Sequence, residues 1–335
     1  MNLYQNAGVD PDKAEHLLKS LRSRFRQTHN SSVISTRSGY ASLFQSRTRV
    51  LAASCDGVGT KLLMAKELGH YKDLGQDLIA MSVNDLVCSG ARPLFFMDYL
   101  AMGELDLEVA EQILTGLSDA CELAQLPLIG GETAEMPGLY RKGDFDMVGM
   151  AVGELGLDQL VDGENLKPGD SLVALSSSGF HSNGFSLIRQ LTSSLSREQR
   201  LELLTPTFLY HLCLEKIFKE QRALIKGMAH ITGAGLHNIA RIHRGFDYHL
   251  KYSPSPTSLV GRWLNSWDIP ESKSAEIFNM GLGLVMVTSS PESLISSFKD
   301  LGWQAMAIGS IARGEGMIWV QGDKENYVLK GKKGV

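Results

Sequence analysis

The sequence predicts an α/β protein built as two domains, and three observations carry that prediction. Its 335 residues exceed what a single hydrophobic core commonly organises. Apolar, β-branched segments alternate with segments of strong helix formers, and the two kinds meet across glycine-bearing turns in both halves. A polar stretch with two glycines and a proline, Asp162–Asp170, separates the halves. These signals set an N-terminal domain at residues 1–165 and a C-terminal domain at residues 170–328.

Composition narrows the function. Hydrophobic residues make up 43% of the chain and charged residues 21%, as in an ordinary soluble globular protein. With 33 basic and 37 acidic residues, the net charge of −4 gives no electrostatic footprint for nucleic acid or an anionic membrane. No run of 18 apolar residues predicts a transmembrane helix, and Met1–Gly8 has no secretory signal pattern. The four cysteines, Cys55, Cys88, Cys121 and Cys213, lie far apart without zinc spacing, which points to a reducing, cytoplasmic setting.

The stretch with most chemistry is Cys55–Lys61 (CDGVGTK). Arg49–Ser54 before it reads as a strand, and Leu62–Leu68 after it reads as a helix ended by Gly69. In the turn between them, Gly57 and Gly59 allow close backbone approach, and Thr60 is placed to cap the helix. The helix start favours an anion, Lys61 adds a mobile positive charge, and Asp56 offers hard oxygens suited to Mg²⁺. The Walker pattern GxxxxGK[ST] is absent, so this is no ordinary P-loop.

The remaining elements follow in chain order. Asp10-Pro11 starts a helix running to about Phe25, and residues 27–48 read as irregular. A buried helix spans about Leu74 to Ser89 and carries Asn84-Asp85, with Asp85 on the side of Met81 and Ser89. A carboxylate there is costly unless paired or bound to a cation. A strand at Leu94–Leu100, a helix at Leu107–Ala124 and a short strand at Pro127–Ile129 come next. The last leads into a loop, Gly130–Gly138, where Gly131, Glu132 and Thr133 combine tight backbone, carboxylate and hydroxyl; Phe145–Leu155 alternates as a strand. In the second half, strand Ser171–Leu175 runs into the hydroxyl-rich loop Ser176–Gly184 and a helix, Phe185–Leu191. His181, between two glycines there, is a candidate for proton transfer. A helix near Thr205–Lys219, a glycine/threonine helix start at His230–Gly235, strands at Asp247–Tyr252, Leu282–Thr288, Ala305–Ala312 and Met317–Val320, a helix at Pro291–Leu301 and a loose basic tail from Lys330 complete the reading.

The set CDGVGTK, MSVNDLV, GGETAEMPG, SSSGFHSNGFSLIR and AHITGAG, in this order and spacing, resembles the aminoimidazole ribonucleotide synthetase (phosphoribosylformylglycinamidine cyclo-ligase) family over nearly the whole chain. GGETAEMPG is the most specific of the five. The resemblance implies an N-terminal half-barrel sheet that pairs across a homodimer, and a C-terminal α/β sandwich domain. It implies ATP-dependent closure of formylglycinamidine ribonucleotide to aminoimidazole ribonucleotide in purine biosynthesis, with ADP and phosphate released. ATP and Mg²⁺ are the implied cofactors, and the need for K⁺ is left open. By the same resemblance Asp56, Asp85 and Glu132 hold the metal, and Gly57, Gly59, Thr60, Lys61 and Asp85 bind the nucleotide. Asn84, Gly131, Glu132, Thr133 and Asn183 face the ribonucleotide substrate, and His181, Lys61 and Asp56 carry the catalysis.

The pattern departs from the family at 34–42, where Gly39 alone stands for a glycine-rich segment, and at Arg22, Arg24 and Arg26, where lysines are usual. Relatives in the same ATP-binding superfamily are the competing readings. A selenophosphate synthetase would want a cysteine ahead of Cys55, a hydrogenase-maturation dehydratase would want a C-terminal cysteine, and a thiamine-phosphate kinase would not carry GGETAEMPG. A divergent paralogue with another phosphoryl-transfer substrate, or a non-catalytic nucleotide-binding dimer, is the alternative from outside the cyclo-ligase reading.

Overall fold

A computed structural model describes residue 8, residues 11–36 and residues 38–331; the expected cap at Asp10 and the tail beyond residue 331 lie outside the described residues. Helix α1 (Pro11–Gln27) precedes a six-stranded sheet made of β1 (Val33–Ile34), β2 (Ser42–Ser46), β3 (Arg49–Gly57), β4 (Arg92–Met102), β5 (Leu128–Glu135) and β6 (Phe145–Leu155), in the spatial order β1-β2-β3-β6-β4-β5. Helices α2 (Lys61–Leu68), α3 (Leu74–Val87) and α4 (Leu107–Leu123) belong to the same half.

Period-two patterning decides which face of this sheet is covered. Along β6, Phe145, Met147, Gly149, Ala151, Gly153 and Leu155 are buried, whereas the alternate residues are not. The covered side packs on α3; a side chain at Gly149 would run into Phe96 and Leu78. The opposite side stays open and apolar, with Phe44, Leu51, Met150 and Ile129 all exposed.

Helix α3 is the keel of the molecule. It packs on the first sheet and on elements of the second half, and every residue in it except Gln76 and Asp85 is buried.

The second half is a seven-stranded sheet ordered β13-β12-β9-β11-β7-β10-β8, from β7 (Ser171–Ser176), β8 (Gly227–His230), β9 (Phe246–Lys251), β10 (Leu282–Thr288), β11 (Ala305–Arg313), β12 (Met317–Gln321) and β13 (Asn326–Lys330). Strand β10, paired on both edges by β7 and β8, is buried throughout, as its unbroken apolar run requires. Helices α5 (Phe185–Leu191), α6 (Arg197–Leu203), α7 (His211–Gln221), α8 (Leu259–Ser266), α9 (Glu271–Ala275) and α10 (Pro291–Asp300) surround it. The first sheet draws its strands from residues 33–155 and the second from residues 171–330.

Several expectations need correction. The irregular stretch 27–48 contains β1 and β2, recruited by antiparallel pairing onto β3. Residues 130–135 are strand, not loop: parallel pairing with β4 overrides the poor β-propensity of two glycines. The helix expected from Thr205 starts at His211, and that expected after Gly235 is a 3₁₀ turn over Gly235–Arg241. Helices α6, α8 and α9 and strand β13 lie outside the sequence expectations; α8 is amphipathic, burying Val260, Trp263 and Leu264, but spans only about two turns.

Candidate active site

Strand β3 buries Val50, Ala52 and Ser54 beneath the helices, and Asp56 continues that side at its end. Asp85, on α3, faces the same crevice. Burial above all, and then the negative charge of Asp85, push the Asp56 carboxyl up to about 6, against the pull of the Gly57 amide, His230 and Arg241. The Gly57 amide donates to Asp56 Oδ1 at 2.8 Å. Asp85 Oδ1 lies 2.8 Å from Nδ1 of His230, a fully buried residue at the end of β8. The other ring nitrogen of His230, Nε2, has no hydrogen-bond partner among the described residues.

A second loop of the other half approaches the turn after Asp56, its Ser182 carbonyl lying near Gly59, and brings His181 to within 6.5 Å of the His230 ring. His181 is fully buried, with a left-handed backbone at φ 60°, uncommon outside glycine and asparagine. Its Nε2 accepts from the Ser178 amide at 3.3 Å, while Nδ1 has no partner among the described residues. Burial, and then His230 and Lys61, hold its basicity well below the usual imidazole range, so the ring is neutral. Asn183 reaches Met81 Sδ at 3.9 Å, and a side chain at Gly233 would lie 3.1 Å from its Oδ1. Thr60 Oγ1 lies 3.0 Å from Ser186 Oγ, which ties the 57–60 turn to the start of α5.

Arg241 finishes the crevice. Its guanidinium stacks 3.7 Å above the Tyr40 ring and donates to the carbonyls of Ser38 and Gly39 at 2.9 and 2.8 Å. The Tyr40 hydroxyl donates to the His230 carbonyl at 3.1 Å. The segment poorest in the glycines of the family pattern is thus held in place by an arginine and a tyrosine.

Other predicted residues lie elsewhere. Lys61 is not a mobile charge: its amine is fully buried, 2.6 Å from Asp77 Oδ2, and donates to the Thr205 carbonyl at 3.1 Å. Thr60 makes no side-chain cap on α2. Asn84 is fully buried, its Nδ2 donating to the Phe208 carbonyl at 2.8 Å and its Oδ1 accepting from the Tyr210 amide at 3.0 Å. Gly131, Glu132 and Thr133 sit in β5 at the sheet edge. Register places Asp56, Gly149, Asp98 and Gly131 in one row, and Gly57, Val148, Tyr99 and Glu132 in the next, on the opposite face. Glu132 therefore points to the open side, three strand steps or roughly 14 Å along the sheet from Asp56. The three-carboxylate metal site is not assembled within one chain: among the described residues no three His, Cys, Asp or Glu side chains gather to hold a metal. Gly131 is glycine for a packing reason, since a side chain there would meet Asp98 Oδ1 at 2.2 Å.

Comparison with known proteins bears on this arrangement. Residues 39–155 match the family described as "AIR synthase related protein, N-terminal domain", and residues 167–320 its C-terminal domain. A protein named phosphoribosylformylglycinamidine cyclo-ligase from Clostridium tetani (strain Massachusetts / E88) is 38% identical over 334 residues, covering 96% of this chain and 100% of its own length. The chain belongs to the phosphoribosylformylglycinamidine cyclo-ligase family. A protein of the same name from Paraburkholderia xenovorans (strain LB400) is 37% identical over 333 residues, covering 93% of both chains.

The cyclo-ligase family fold is also that of more distant solved structures. A HypE–HypF complex aligns with a TM-score of 0.66 at 18% identity, covering 93% of this chain and 99% of that one. The structure "AaThiL complexed with AMPPCP and TMP" aligns with a TM-score of 0.66 at 17% identity, covering 94% and 96%. At such identities the likeness is one of fold alone.

For this cyclo-ligase family member, the residues that sequence reasoning passed over are His230, Arg241, Tyr40 and Asp77. His230 had a signal, because it is the second residue of the AHITGAG motif, but it read as part of a helix start. Arg241 and Tyr40 had none: each is defined by a partner some 200 positions away, Tyr40 with Asn238 at a separation of 198 and Arg241 with Ser38 at 203.

Proposed function

We propose that the protein closes the imidazole ring of aminoimidazole ribonucleotide from formylglycinamidine ribonucleotide, consuming ATP and releasing ADP and phosphate. The observation that carries this reading is the meeting of Asp56 and Asp85 in a crevice beside His230, in a chain 38% identical over its length to a named cyclo-ligase. Transfer of the γ-phosphoryl group to the formyl oxygen makes a leaving group of it. A nitrogen of the substrate then attacks that carbon, phosphate departs and the five-membered ring closes.

The chain's own residues fit these tasks. A carboxylate whose ionisation is made costly by burial and by a second carboxylate beside it suits Mg²⁺, which uses one or two carboxylates and completes its shell with nucleotide phosphates and water. When bound, Mg²⁺ would neutralise phosphate charge. The backbone of Gly57–Thr60, leading into α2, offers amides to the phosphates. His181, neutral and with Nε2 accepting from the Ser178 amide, carries its proton on the unpartnered Nδ1 and donates it toward the departing phosphate, the proton lost by the attacking nitrogen passing to solvent, and Asn183 orients the amide. The Lys61 amine and the Asn84 side chain have no part in ligand binding on this reading. Purified protein with ATP, Mg²⁺ and formylglycinamidine ribonucleotide is expected to release phosphate and form a diazotisable aminoimidazole. Nucleotide binding without turnover would instead support a non-catalytic dimer.

The open apolar face of the first sheet supports a homodimer, in which a second copy covers Phe44, Leu51 and Met150. Glu132, on that face, then meets the substrate from the side the partner closes, while Thr133 at the same sheet edge turns to the other face. Met150→Glu is expected to convert the dimer to monomer in sedimentation velocity; an unchanged sedimentation coefficient would exclude this face. Among the described residues no helix is long and apolar enough to cross a membrane, and we place the reaction in the cytoplasm.

A further inference from the structure

Residues 205–210 connect α6 to α7 without joining either sheet. Between the Thr205 carbonyl and the Tyr210 amide, most of their main-chain groups with a recorded partner are satisfied by side chains. Lys61 Nζ donates to the Thr205 carbonyl at 3.1 Å, Ser178 Oγ to that of Pro206 at 2.6 Å, and Gln76 Nε2 to that of Thr207 at 2.8 Å. The Thr207 amide and hydroxyl donate to Asp77 Oδ1 at 2.9 and 2.6 Å. Asn84 brackets Phe208 and Tyr210 as described above. Asp77 and Asn84 are seven positions apart on α3, two helical turns, and so present one face to the segment.

The segment in turn touches the catalytic loop twice. Ser178, which donates its hydroxyl to Pro206, also donates its amide to His181 Nε2. The Tyr210 ring lies 6.2 Å from that of His181 and 6.5 Å from that of His230, and its hydroxyl donates to the Ser176 carbonyl at 2.8 Å.

We infer that Lys61 and Asn84, though they stand inside ligand-type motifs, are positioning residues: they clasp the 205–210 segment to the first half and thereby hold His181 beside His230, whose Nδ1 bonds Asp85. Lys61 acts by neutralising Asp77, whose carboxylate organises Thr207. Its amine, with no exposed surface, reaches no bound phosphate. The Asn84 amide is spent on both sides of a peptide segment and has no bond left in that direction for a substrate.

The test separates neutralising Asp77 from binding phosphate. Lys61→Met leaves a buried unpaired carboxylate and is expected to lower the thermal midpoint by about 10 °C or more. Adding Asp77→Asn keeps the acceptor for Thr207 and is expected to recover at least about half of that loss. The double variant is then expected to bind the ATP analogue AMPPNP with Mg²⁺ within about threefold of wild type by calorimetry. Asn84→Ala is expected to lower kcat at least about tenfold with the KM values for both substrates within about threefold. A double variant that melts like wild type but binds AMPPNP more than about tenfold weaker would place Lys61 on phosphate and overturn the clasp. So would a double variant no more stable than Lys61→Met, or an Asn84→Ala enzyme with raised KM and unchanged kcat; if the double variant does not fold, Asn84→Ala decides alone. Only the turnover arm rests on the cyclo-ligase reading: a wild-type protein that binds AMPPNP but makes no aminoimidazole ends that reading and leaves the clasp to the melting and binding arms.

Discussion

Asp56→Asn is expected to lower turnover by at least about 10³-fold while making the protein more stable at pH 8, not less. The loss of rate follows from removing one of two carboxylates proposed to hold the nucleotide-bound metal. The gain in stability follows from the sign of its perturbation. Burial and the charge of Asp85 raise the Asp56 carboxyl from 3.8 to about 6, so between those values the folded state binds more protons than the unfolded chain. Stability therefore falls as pH rises from about 4 to about 6 and stays lowered above it, by up to about 3 kcal/mol. Asparagine never ionises, and its Oδ1 still accepts from the Gly57 amide. In urea unfolding the variant is expected to match wild type near pH 4 and to exceed it at pH 8. Added Mg²⁺ and nucleotide are expected to stabilise wild type more than the variant. A variant with wild-type turnover would remove Asp56 from the site, and one less stable than wild type at pH 8 would show that Asp85 and burial do not strain the carboxylate.

What the sequence disclosed follows the range of the interactions involved. The strand ending at Asp56, the helix after Lys61 and the helix carrying Asp85 were legible because periods of two and 3.6 are local. The acidic pair was legible because each carboxylate lies in a buried or glycine-bearing element where a solvated role is costly. The role of Lys61 was not legible. Its partner Asp77 sits on another helix and its acceptor Thr205 is 144 residues away, so the sequence shows a lysine in a phosphate-like turn and nothing of the pocket that encloses it. His230 and Asp85 are 145 residues apart, which hides their hydrogen bond in the same way. Glu132 failed for a different reason. Glycine and glutamate are poor strand formers, so GGETAE read as a loop free to reach the metal; pairing with β4 fixes it in a strand and sends Glu132 to the open face.

Gly283→Ala is expected to destabilise the protein by about 2–4 kcal/mol and to depress turnover, although it adds one methyl group to a buried strand. Gly283 falls at a register irregularity of β10 against β7, and the Tyr210 side chain lies directly over it. A Cβ there would stand 1.7 Å from the Tyr210 hydroxyl and 2.4 Å from Cζ, inside the ring's own volume. The ring cannot give way cheaply. It has no exposed surface, its hydroxyl is bonded to the Ser176 carbonyl, and Trp303 and Phe208 flank it with ring centres at 5.5 and 6.1 Å. Moving it would disturb the packing behind His181 and His230, so the rate is expected to fall with the stability. Tyr210→Leu empties the space that the new methyl needs. Gly283→Ala combined with Tyr210→Leu is therefore expected to be more stable than the sum of the two single changes predicts, by about 1 kcal/mol or more in urea unfolding. Strict additivity would mean that the tyrosine does not rest on the glycine, and the aromatic backing of the two histidines would have to be drawn differently.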